Sequence, residues 1–141
     1  MFEKSFYERL RVWRELRNKV ETSNTPFEDV LDFWRKAPLG RPYTDPYDSE
    51  NWPDPWELIH ENIYCEFLQI LGICYTLQLT ERFSTSSFEI HITLDKKQDA
   101  IVYLLFVDNQ AIGYYNDGSI DEHDIEHLIC QMHHTVNLCD Q

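Results

Sequence analysis

Four glycines in 141 residues leave little material for a phosphate cradle, and no G-x-G-x-x-G, P-loop or G-x-S-x-G stretch occurs. Nucleotide-dependent chemistry is therefore not expected. The four cysteines, Cys65, Cys74, Cys130 and Cys139, include no C-x-x-C pair. A chain that is 43% hydrophobic needs no staples, so reduced thiols are expected rather than a disulfide framework or structural zinc. No apolar run approaches the ~20 residues of a membrane span, and MFEKSFYERLRVWRELRNKV is an amphipathic charged segment rather than a signal peptide. A soluble protein made in the cytoplasm is the expectation.

Positive charge is scarce after residue 41. Residues 1–41 hold nine basic and seven acidic side chains, whereas residues 42–141 hold three basic and eighteen acidic, a net charge of −15 there and −13 for the chain. Such a body repels phosphate backbones, so direct nucleic-acid binding is not expected. It suits basic protein partners, divalent cations or plain solubility. An acidic inhibitor that imitates DNA is a third functional reading, although regular carboxylate spacing is missing. Asp45, Asp48, Glu50 and Asp54 lack the bend glycine and closing glutamate of an EF-hand loop. No cofactor is expected.

What is present is apolar pattern. Phe2, Phe6, Leu10, Trp13, Leu16 and Val20 recur at helical spacing, so residues 1–22 read as an amphipathic helix with Arg9, Arg11, Arg14, Arg17 and Lys19 on much of its other side. Thr25 followed by Pro26 opens a second helix, FEDVLDFWRKA, closed by Pro38 and Gly40. Residues 38–53 hold too many Pro, Asp, Tyr and Ser to be helical, but Tyr43, Tyr47 and Trp52 give an ordered loop rather than a linker. Asp54 and Pro55 restart helix. WELIHENIYCEFLQILGICYTLQL is too apolar for a surface helix, and Asn62 is a break point that would place Cys65 at the start of a second segment.

FEIHITL alternates strictly, AIVYLLFV is apolar on both faces, and QAIGYYN follows through Asp108-Asn109, a tight-turn pair. Ser119 and Glu122 suggest a capping box opening a last helix to about residue 134. The expected fold is α+β in one domain over 1–141, with a core over 54–134. In it N-terminal helices precede a central apolar helix packed on a small three-stranded antiparallel sheet, and a C-terminal helix follows.

Two constellations could carry chemistry. In the last segment His123, His127, Cys130 and His134 form one stripe of the expected helix, opposite Ile125, Leu128, Ile129, Met132 and Val136. His123-Asp124-Ile125-Glu126-His127 is not the H-E-x-x-H zinc motif, and a polar or partner-facing surface is expected instead of a metal site. The other set is Cys65 at a helix start, His91 on a strand and Asp108 in a turn, where the helix N–H groups would favour a thiolate. Over about residues 54–117 this order resembles the transglutaminase-like and papain-like core. That resemblance implies a cysteine hydrolase or acyltransferase with Cys65, His91 and Asp108 catalytic, the alternative being a structural cysteine and a sheet-surface histidine.

A second resemblance lies in the wording itself. DFWRKAPLGRPYTDPYDSENWPDPWELIHENIYCEF, YTLQLTERF and AIVYLLFVDNQAIGYYND, within about residues 30–116, are similar to small uncharacterised proteins of large contractile-tailed bacteriophages, including marine ones. The resemblance implies a non-enzymatic virion or assembly component that binds other virion subunits as an oligomer or larger assembly. The surface it needs would comprise Trp52 and Trp56 as anchors, Pro53 and Pro55 as stiffeners, Tyr43 and Tyr47 beside them, and Arg11 and Arg14 on the first helix. The alternative is that both Trp cap the protein's own core.

Overall fold

The computed structural model describes residues 1–41, 44–112 and 128–137. The chain divides into two compact units, Met1–Thr85 and Ser86–Gln141. The α+β class expected from the sequence is the class found.

The first unit is helical: α1 (Phe6–Thr22), α2 (Pro26–Trp34), a single 3-10 turn at Ser49–Asn51, α3 (Pro55–Glu61) and α4 (Glu66–Gln78). Phe2, expected in the first helix, lies ahead of α1 and packs its ring on Phe33, Trp34 and Tyr64. α1 turns Trp13, Leu16 and Val20 inward, the stripe its spacing requires. α2 begins with Pro26 at its first turn, where a missing N–H costs nothing. α4 is the centre of this unit, contacting α1, α2 and α3, and every residue from Phe67 to Leu77 is buried.

Thr76 sits at the middle of that packing. Its Oγ1 accepts from the indole N–H of Trp13 at 2.8 Å and of Trp34 at 2.9 Å, and donates back to the Gly72 carbonyl at 2.7 Å. One hydroxyl thus satisfies two wholly buried indoles. Gly72 lets Trp34 approach: a Cβ there would lie 2.7 Å from the indole ring.

Arg9 is buried rather than solvated. Its Nε donates to the Ile59 carbonyl at 3.2 Å and its Nη2 to that of His60 at 3.1 Å, closing the last turn of α3. Arg17 lies over the Trp13 ring at 4.6 Å. Two of the five cations read as a basic helix surface are thus spent on the unit's own packing, while Arg11, Arg14 and Lys19 stay exposed.

The described residues of the second unit form a four-stranded antiparallel sheet of order β3-β2-β1-β4: β1 (Phe88–Asp95), β2 (Ala100–Val107), β3 (Gln110–Ile112) and β4 (Leu128–Thr135). Asp108 and Asn109 both take positive φ, 49° and 71°, as the tight turn between β2 and β3 requires. The sheet has one strand more than expected, and that strand corrects the C-terminal helix: residues 128–134 are extended. The cause is a β-bulge. Ile92 pairs with Met132 but Thr93 with Cys130, so Gln131 is an extra residue in β4. Residues three apart then share a face, and the spacing Ile129, Met132 imitates a helical one. The part of the expected helix before residue 128, with His123 and His127, lies outside the described residues, as do Tyr43 and Cys139.

Candidate functional site

The stretch from Asp45 to Asn62 is built by its own side chains. Asp45 accepts the Tyr47 backbone N–H at 2.9 Å, Asp48 accepts from the Asn51 amide at 2.6 Å, and Asp54 accepts the Glu57 N–H at 2.8 Å in a capping box that opens α3. Two carboxylates of this acidic segment, Asp45 and Asp54, thereby fix backbone, and Asp48 ties down the Asn51 side chain. The segment is then fastened to α4: Trp52 packs on Phe67 with ring centroids 5.0 Å apart, and the Tyr75 hydroxyl donates to the Pro53 carbonyl at 2.7 Å.

The two tryptophans therefore separate. Trp52 is half-buried on Phe67, and Pro55 is buried, whereas Trp56 keeps 50% of its surface exposed while its inner edge meets Trp13 at 5.7 Å. Tyr47 is exposed to the same degree, as is Ile63, and Leu39 is 67% exposed. Leu39 and Ile63 flank a short parallel bridge in which Gly40 N–H donates to the Tyr64 carbonyl at 2.8 Å and Tyr64 N–H to that of Pro38 at 3.1 Å. A cleft bounded by Asn51, Pro53, Glu57, Glu61, Ile63 and Leu68 runs alongside. Exposed apolar side chains on backbone already held in place, rimmed by carboxylates, can seat a protein surface.

Cys65 is the N-cap residue of α4, because α3 ends at Asn62 in the left-handed conformation with φ of 55°. Its side chain makes no cap hydrogen bond and is half-buried. It belongs to the first unit, His91 and Asp108 to the second. Within the second unit these two are not partners. His91 pairs with Leu104, and Asp108 follows Val107, the partner of Phe88, a separation of about 10–13 Å along the strand at ~3.3 Å per residue. The Asp108 carboxylate instead accepts the Ser87 N–H at 2.9 Å, which with the Ser86 side chain holds its carboxyl below the usual range.

His91 has other neighbours. Cys130 Sγ lies 3.5 Å from its Nδ1, Glu89 Oε2 lies 3.8 Å from its Nε2, and its ring packs against Phe106 at 4.1 Å and His133 at 5.3 Å. Burial chiefly, with His133 beside it, holds the imidazole below its ordinary value against the pull of Glu89. Cys74, by contrast, has its thiol pushed up by full burial and is inert. Among the described residues no group of three or more His, Cys, Asp or Glu is arranged to hold a metal ion, and no helix is long and apolar enough to cross a membrane.

The sequence reading missed the meeting of Cys130 with His91, and it missed Thr76 and Arg9. The first depends on a strand read as helix. The others show only as a polar residue inside an apolar helix and as one of five cations on a helix, spaced three from Phe6 and four from Trp13. Comparison with protein-family models, with curated proteins and with solved structures found no match.

Proposed function

We propose that this protein is a non-enzymatic interaction component, a virion or assembly protein of a contractile-tailed bacteriophage, serving in the head, neck, tail or baseplate beside other virion subunits. The observation that carries this reading is a set of exposed apolar side chains on held backbone: Tyr47 and Trp56 on the segment fixed by capping and by α4, and Leu39 and Ile63 at the Leu39–Tyr64 bridge. A surface ordered in advance loses little conformational freedom on binding. The acidic body favours a partner with an apolar face and a basic rim. Virion localisation belongs to the same proposal.

The test is light scattering on the purified full chain together with mass spectrometry of virions from the phage that encodes it. A defined oligomer, or the chain present in washed particles, is the expected result, with Trp56→Ala weakening the association by about tenfold or more. A monomer at tens of micromolar that is also absent from virions overturns the reading.

A further inference from the structure

We propose that Cys130 is a reactive thiol, a modification site for hydroperoxides, with His91 taking its proton. This goes beyond the interaction reading and does not depend on it.

The bulge in β4 carries the argument. On a regular strand Cys130 and His133, three residues apart, would point to opposite faces. The extra residue Gln131 brings both to the face of His91, so that Cys130 pairs beside Thr93 and His133 directly opposite His91. Bulges that re-aim a side chain in this way are common beside reactive groups. The outcome is an exposed thiol 3.5 Å from an imidazole nitrogen, with the ring held by Phe106 and His133.

The groups facing His91 are known from each neighbouring strand. On β1 they are Glu89 and the uncharged Thr93, on β4 Cys130 and His133, and on β2 the apolar Leu104 and Phe106. The neutral ring offers its Nδ1 lone pair to the thiol proton across this contact, and Glu89 offsets part of the burial that disfavours the charged ring. His91 Nε2 is closed off from solvent with the Glu89 carboxylate 3.8 Å away, and that carboxylate stabilises the imidazolium once the proton arrives.

The reaction balances without any further reagent. The Sγ–H proton passes to Nδ1 as the sulfur lone pair attacks one oxygen of the hydroperoxide; the S–O bond forms while the O–O bond breaks. The departing oxygen takes the proton from Nδ1 and leaves as water or an alcohol. Sulfur is oxidised to the sulfenic acid, the hydroperoxide is reduced, and His91 is neutral again. A reagent this small needs no pocket, which fits an exposed strand.

The experiment treats the native full chain with hydrogen peroxide and a sulfenic-acid trap, and reads each cysteine by mass spectrometry. Digestion must use a protease selective for acidic or aromatic residues, because no Lys or Arg follows Lys97. Cys130 is expected to be trapped about tenfold faster in the native chain than in the same chain unfolded in urea at the same pH, and faster than Cys65. His91→Asn, checked for native circular dichroism, is expected to remove that advantage. A native rate no greater than the unfolded one overturns the proposal, and so does a folded His91→Asn chain that reacts like the parent. The first comparison uses the parent protein alone, so it stands even if the variant fails to fold.

Discussion

Thr76 shows how much can hang on one atom. Replacing it with Val keeps the shape and removes the oxygen that both Trp13 and Trp34 address. Two N–H groups would then be buried without acceptors, at about 1–3 kcal/mol each. Thr76→Val is expected to destabilise the first unit by about 2–6 kcal/mol, read as a lower urea midpoint with an unchanged slope; a shift under about 0.5 kcal/mol would show that the indoles find other acceptors. Thr76→Ser, which keeps the oxygen, should lose far less. The residue was invisible in the sequence for a plain reason. A threonine within an apolar helix is unremarkable until the two indoles, 42 and 63 positions away, are known to converge on it.

At the scale of elements, three boundaries were legible, while the start of α1, the end of α2 and the bulged strand were not. Pro26, Asp54-Pro55 and Asp108-Asn109 are local signals, each acting within a few residues of itself, and each marks a boundary in the structure. The Asp54 cap predicts its own measurement: Asp54→Ala should cost about 1 kcal/mol, seen as a shift in denaturant midpoint, because the Glu57 N–H loses its acceptor. No shift would mean that water serves equally well there. β4 escaped because its pairing with β1 is non-local and its single extra residue breaks the period of two. The same misreading hid the candidate thiol pair: on a helix Cys130 would have joined His123 and His127, whereas on the strand it meets His91.

For the whole molecule, acid should act first through the sheet. His91 and His134 are both held below the ordinary imidazole value, burial being the larger cause in each and His133 adding to it. A depressed folded-state value means the unfolded chain binds more protons, so this stability is complete above the unfolded value of about 6.5 and is lost as pH falls through the folded ones. The urea midpoint of the second unit is expected to drop between pH 7.5 and 5.5, and His91→Asn should shrink the drop. A midpoint constant over that range would show that both rings protonate without penalty. The exposed Asp108 adds a further loss only at more acid pH, below the ordinary carboxylate value.

All four tryptophans, Trp13, Trp34, Trp52 and Trp56, fall in the first unit, and none in residues 86–141. Indole emission is therefore a private optical channel to the helices, silent about the strands. Within it the wholly buried Trp13 and Trp34 should emit to the blue and resist iodide, while Trp56 supplies the red, quenchable fraction. Following melting by emission and by far-ultraviolet ellipticity together asks whether the two units unfold as one, since coincident curves are the mark of a single cooperative step. A docked partner would announce itself in the same spectrum, as the loss of the iodide-sensitive fraction alone.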